Sequence, residues 1–241
     1  MLDLAKYTKE LSKDLSAASN ILLICHINPD GDAIGSQLAL YQYLTSKGKN
    51  VEMLSPNYLQ EFLKWMDGID KIKIFIQDRK AGRDLINKAD LIIMLDFNQS
   101  NRLGEAEDAV LASGARKIII DHHLNYKPFA DLLISDTSKC STAELLHMII
   151  SELNNGFFRN RQYAESIYIG IVTDTGNFEH GSFTSATFRI ISELLDEGIE
   201  KERIFNLIFN NFTADRMRLK GYALNERMVI LPEKRTAYIS L

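Results

Sequence analysis

The chain of 241 residues holds only two cysteines, Cys25 and Cys140, four prolines and one tryptophan. Two cysteines, one of them inside an apolar run, do not frame a disulfide-stapled fold, and their scarcity fits a reducing compartment. No apolar run approaches the ~20 residues needed to span a bilayer. From Met1 to Leu15 the charges of Asp3, Lys6, Lys9, Glu10, Lys13 and Asp14 fall in amphipathic helical order, unlike a signal peptide. The reading is therefore cytoplasmic, without a membrane partner. An excess of basic charge is also missing, since 28 Lys and Arg face 32 Asp and Glu for a net charge of −4. Non-specific duplex binding rests on many Lys and Arg contacts to phosphate, so a general binder of duplex DNA is disfavoured. No internal repeat or low-complexity tract is evident.

What is present is ordinary globular composition, 46% apolar and 25% charged, in a length that suits one large domain or one domain plus part of another. The central stretch is 26–36, His-Ile-Asn-Pro-Asp-Gly-Asp-Ala-Ile-Gly-Ser. The run Ile21 to Cys25 before it reads as a strand buried on both faces. Asn28-Pro29-Asp30-Gly31 reads as a turn, and Ile34, Leu38, Tyr41 and Thr45 then recur at helical spacing. His26, Asp30 and Asp32 thus lie between a strand and a helix, where Asp32 also fits a helix N-cap.

Two more apolar runs end in the same way. Leu91 to Leu95 ends on Asp96, and Lys117 to Ile120 ends on Asp121-His122-His123. In parallel α/β sheets ligands bind outside the carboxyl ends of the strands, and imidazole with carboxylate suits a divalent metal. A single acid at a strand end is commonly a turn former, but burying apolar strands does not require titratable groups at three successive tips. An apolar helix from Tyr163 to Val172 runs on into Asp174-Thr175-Gly176, repeating the pattern a fourth time.

The rest of the chain is expected to be connective. Strands are expected at Val51–Leu54 and Ile72–Ile76, with an edge strand at Leu132–Ile134. Helices are expected at 59–66, at Ala81–Ala89, after Ser141 with Glu144 three residues on, from Thr184 to Gly198, and over Ile204–Phe209. His147 reads as a packed or surface residue. Residues 213–229 are expected to form a long connecting helix, and Arg235–Leu241 a strand with nothing to follow. The organisation expected is a mostly parallel α/β sheet flanked by helices over 1–212, a connecting helix over 213–230, and over 231–241 the start of a second α/β, substrate-binding domain that is mostly absent.

Taken together, His26, Asp30, Asp32, Asp96, Asp121, His122, His123 and Asp174 resemble the four motifs of the DHH phosphoesterase superfamily. Its His-x-x-x-Asp-x-Asp motif is matched by His26, Asp30 and Asp32, with Gly35-Ser36 behind them. Asp96 resembles the second motif, Asp121-His122-His123 the third and Asp174-Thr175-Gly176 the fourth, in family order from about residue 20 to about 210. Within the superfamily the chain resembles bacterial nanoRNase and 3′-phosphoadenosine-5′-phosphate phosphatase proteins, known also as exopolyphosphatase-related. Their second domain carries a glycine-rich, histidine-containing motif that this sequence lacks before Leu241.

The resemblance implies a metal-dependent phosphoesterase with two Mn²⁺ ions, Co²⁺ or Mg²⁺ being acceptable and Zn²⁺ less natural. His26, Asp30 and Asp96 would hold one ion and Asp32, Asp96, His122 and Asp174 the other, with Asp96 shared. With no Ser or Cys in a nucleophile context, direct attack by hydroxide is preferred to a covalent intermediate. His123 would contact the substrate phosphate, Asp121 would orient an imidazole, and Arg102 is either a further phosphate contact or a surface arginine. The implied substrate is a short single-stranded oligonucleotide or a small nucleotide phosphate, and a homodimer is admitted. Two other readings stand beside it: a pyrophosphatase or exopolyphosphatase, and a non-catalytic nucleotide-binding module.

Overall fold

A computed structural model of the chain describes residues 3–240; Met1, Leu2 and Leu241, which the expected first helix and last strand include, lie outside the described residues. The chain divides into two compact units, Met1–Glu200 and Lys201–Leu241. The first opens with α1 (Leu4–Ala17), capped by Asp3 and burying Thr8, Leu11 and Leu15 at helical spacing. There follow β1 (Asn20–Ile24), α2 (Gly31–Ser46), β2 (Asn50–Ser55), β3 (Ile72–Ile74), α3 (Arg79–Lys88), β4 (Leu91–Leu95), α4 (Glu107–Ala112), β5 (Arg116–Asp121), β6 (Leu132–Ser135), α5 (Thr142–Leu153), α6 (Arg161–Asp174) and α7 (Ser185–Asp196).

The six strands form one parallel sheet in the order β3-β2-β1-β4-β5-β6. All five residues of β4 are buried, as expected for the middle of a parallel sheet covered on both faces. The strand order reverses between β1 and β4, and at such a switch point the crossover connections diverge and leave a crevice at the carboxyl ends. Leu22, Ile24, Ile92, Met94 and Ile119 centre the core on one side of the sheet. Among the described residues no helix is long and apolar enough to cross a membrane.

Differences from expectation lie away from the sheet centre. Residues 59–66 hold only a short 3-10 turn at Glu61–Leu63, too few helical residues to offset nucleation. In the second unit, α8 (Lys201–Phe209) and α9 (Ala214–Tyr222) precede a π turn at Ala223–Arg227. The long helix expected over 213–229 therefore stops at Tyr222. The expected last strand pairs antiparallel as β8 (Thr236–Ile239) with β7 (Met228–Leu231), so this segment is a small hairpin. Pro232 begins its turn and Arg235 takes the left-handed conformation at φ 47°.

Candidate metal centre

Strand register builds the site from the sheet outward. Ile24 of β1 pairs with Met94 of β4, so His26 and Asp96 lie two residues past partnered positions at the switch point. Leu95 pairs with Ile120 of β5, and the Asp96 N–H donates to the Ile120 carbonyl at 3.0 Å, which sets Asp96 beside Asp121. Asp96 itself takes a left-handed conformation, φ 68°, which Asp tolerates better than most residues.

Two helix starts and one helix end close the site. Asp30, rather than Asp32, is the N-cap of α2: its Oδ1 accepts from the Asp32 and Ala33 N–H groups at 3.0 and 3.1 Å. Asp32 is fully buried and meets the start of α5, accepting from Thr142 N–H at 2.6 Å and Ala143 N–H at 2.8 Å. A helix N-terminus favours an anion, so α5 supports this carboxylate. The Thr142 hydroxyl donates to Asp96 Oδ1 at 2.8 Å. α2 and α6 approach through glycine: a side chain at Gly35 would overlap the Ser166 carbonyl, and a Cβ at Gly170 would sit 2.8 Å from Asp32 Oδ1. That close contact brings Asp174, the last residue of α6, to the same place.

The imidazoles are oriented by carbonyls, which only accept hydrogen bonds. His26 Nδ1 lies 2.7 Å from Ile27 O and His122 Nδ1 lies 3.2 Å from Lys139 O, so each Nδ1 carries the proton and each Nε2 is left with a lone pair. Arg102 Nη2, 3.0 Å from His26 Nδ1, is therefore a neighbour and not its donor. Nε2 of His26 faces Asp96 at 3.4 Å and Asp30 at 3.8 Å. Nε2 of His122 faces Asp174 at 3.2 Å, Asp96 at 3.8 Å and Asp32 at 3.9 Å. That His122 nitrogen is buried and has no hydrogen-bond partner. A buried lone pair aimed into a ring of carboxylates fits a cation.

Ligand atoms gather within 4.8 Å of one another in three groups: His26, Asp30 and Asp96; Asp32, His122 and Asp174; Asp96, His122 and His123. All six side chains expected to be ligands converge, and Asp96 belongs to two of the groups. Burial, followed by mutual repulsion with Asp96 and Asp174, pushes the Asp32 carboxyl well up from its ordinary range. Burial and Asp30 do the same to Asp96, and burial raises Asp174. Burial also lowers His26 from its ordinary value. The donor set is carboxylate and imidazole, with no thiolate, since burial pushes the Cys25 thiol up to about 12. Such a set suits six-coordinate Mn²⁺ or Mg²⁺.

His123 is held differently. Its Nδ1–H donates to Asp121 Oδ1 at 2.8 Å and its backbone N–H to Asp121 Oδ2 at 3.0 Å, and the Asp121 bond raises it to about 9. His123, Asp96, Asn98 and Arg102 line one cleft of about 220 Å³. Asn98, which sequence reasoning missed, is buried and donates to the carbonyls of His123 and Leu124 at 2.9 and 3.0 Å, fixing the turn after the histidines. Thr142 was missed as well: Ser141-Thr142-Ala143-Glu144 signals a helix start, but not where that start points. His147 lies apart, buried on α5 against the Tyr163 hydroxyl at 3.0 Å.

Comparison with known proteins gives the family of the chain. The chain is 32% identical over 217 residues to the bifunctional oligoribonuclease and PAP phosphatase NrnA of Bacillus subtilis, covering 88% of this chain and 64% of that protein. The crystal structure of an exopolyphosphatase-related protein from Bacteroides fragilis superposes with a TM-score of 0.93 at 39% identity, over 98% of this chain and 69% of that one. At the level of fold alone, the chain resembles exonuclease RecJ bound to manganese, with a TM-score of 0.55, 15% identity and coverage of 87% of this chain and 55% of that one. Residues 20–171 match the DHH family, N-terminal domain, and the chain belongs to that family.

Proposed function

We propose that this protein is a two-metal phosphoesterase that hydrolyses short oligonucleotides or nucleotide 3′-phosphates. The observation that carries the proposal is the unpartnered, buried His122 Nε2 facing Asp32, Asp96 and Asp174. His26, Asp30 and Asp96 would hold one Mn²⁺, and Asp32, Asp96, His122 and Asp174 the other. Bound there, divalent cations make water a usable nucleophile at neutral pH and offset charge on the phosphoryl group.

The remaining work falls to side chains of this chain. Asp121 fixes the His123 ring, and the cationic imidazole donates through its free N–H to a non-bridging phosphate oxygen. Arg102, at the edge of the same cleft, adds a second positive group for phosphate. Thr142 holds the Asp96 carboxylate in orientation. The substrate class follows the 32% identity to the NrnA oligoribonuclease and PAP phosphatase.

The test offers a dinucleotide, 3′-phosphoadenosine-5′-phosphate, pyrophosphate and polyphosphate side by side to the full-length protein, with Mn²⁺ or with chelator. Turnover of the first two, abolished by chelator, is expected. Turnover of pyrophosphate or polyphosphate alone would replace the reading with a phosphoanhydride hydrolase.

A further inference from the structure

In the segment that follows Asp174 stands an aromatic cluster that none of the steps above uses. After Asp174 the chain takes three consecutive left-handed residues, Gly176, Asn177 and Phe178, at φ 54, 59 and 66°. Residues with a Cβ seldom adopt that conformation. The bend is held by Asn177 N–H to Val172 O at 2.7 Å, His180 N–H to Thr175 O at 3.1 Å, and Phe178 N–H to the Thr175 hydroxyl at 3.1 Å. It delivers the Phe178 ring to Phe183 and Phe188, with centroids 5.8 and 5.1 Å away, while Phe183 and Phe188 stand 5.8 Å apart.

A second tie fixes the cluster from its far side. Thr187, next to Phe188, is buried and donates its hydroxyl to Glu144 Oε1 at 2.8 Å. Glu144 is in the first turn of α5, whose Thr142 and Ala143 hold Asp96 and Asp32. The cluster is therefore anchored to the metal centre twice, through the chain from Asp174 and through Glu144. Phe188 is nevertheless 49% exposed. A second ring cluster, Tyr43, Phe158 and Tyr163, lies by the opposite end of α6 and includes the fully buried Tyr163, so it serves packing.

We propose that Phe178, Phe183 and Phe188 form a stacking platform that holds a nucleobase of the substrate beside the metal centre. For its phosphate end the proposal rests on the phosphoesterase reading. Every base presents a π face, so such a platform selects nucleotide esters over substrates without a base and is tolerant of sequence.

The test uses a dinucleotide carrying 2-aminopurine, whose fluorescence is quenched by stacking, and an abasic dinucleotide of equal charge. Metal-free full-length protein should quench the first. With Mn²⁺ it should prefer a normal dinucleotide over the abasic one by roughly 5- to 100-fold in kcat/KM, carried by KM. Phe188→Leu, which keeps apolar bulk without a π face, and Phe188→Ala should lose both the quenching and the preference, whereas Phe188→Tyr should keep them. Undiminished quenching and preference in Phe188→Leu and Phe188→Ala would overturn the platform. Hydrolysis by the wild type with neither quenching nor base preference would overturn the platform and leave the phosphoesterase reading intact. Quenching by a protein that hydrolyses no phosphoester would do the reverse.

Discussion

Asp121 shows how one buried carboxylate sets the behaviour of a neighbour that lines the cleft. It accepts both the ring N–H and the backbone N–H of His123, and the imidazole stays protonated up to about 9. Because that folded value lies above the ordinary 6.5, the positive charge is present through neutral pH and is lost as pH rises through about 9. Asp121→Asn removes the ion pair but keeps an acceptor. The alkaline limb of the pH–rate profile should then move down by about one to two pH units with Mn²⁺ stoichiometry unchanged; an unmoved limb would separate His123 from the reaction. The positions of His26, Asp96, Asp121 and His122 were legible because apolar strands end on them. The tasks of Thr142 and Asn98 were not, because both act on residues far away in sequence.

Among the elements, the contact of α2 with α6 decides where Asp32 and Asp174 meet. A Cβ at Gly170 would stand 2.5 Å from the Ala143 Cβ and 2.8 Å from Asp32 Oδ1. Gly170→Ala would gain about 1 kcal/mol of helix propensity, against about 1–3 kcal/mol for overpacking. The clash touches a carboxylate with no room to retreat, so overpacking should win. Net destabilisation of about 1 kcal/mol and Mn²⁺ affinity weakened by tenfold or more are expected, read by denaturant melts and metal titration. The strands of the sheet were legible through unbroken apolar runs. The C-terminal hairpin was not: its first strand, Met228–Leu231, is a four-residue apolar run directly behind the mixed charged and apolar residues 213–227, and its turn places Arg235 in a left-handed position where glycine is the usual signal.

Across the whole molecule, the acid cluster ties stability to pH and to cations. Asp32, Asp96 and Asp174 have folded values raised above the ordinary 3.8, so the metal-free fold retains protons that the unfolded chain has released. Their contribution therefore favours the fold in acid and is lost as pH rises from about 4 through the raised values. On the proposed function, Mn²⁺ would take the place of those protons. The thermal shift on adding Mn²⁺ should accordingly be larger at pH 8 than at pH 5.5, and an equal shift at both would show that the carboxylates are not its ligands. The parallel α/β plan was legible because strand ends and helix starts alternate along the chain, whereas the division after Glu200 leaves no mark of composition in the sequence.

The most direct test of the central claim, that six side chains gathered at the switch point hold two metal ions, is a calorimetric Mn²⁺ titration of the full-length protein beside Asp96→Ala. Two ions are expected for the wild type, and for Asp96→Ala one ion or none with hydrolysis of the dinucleotide lost. Two ions bound by Asp96→Ala, with more than a few per cent of wild-type turnover, would contradict it.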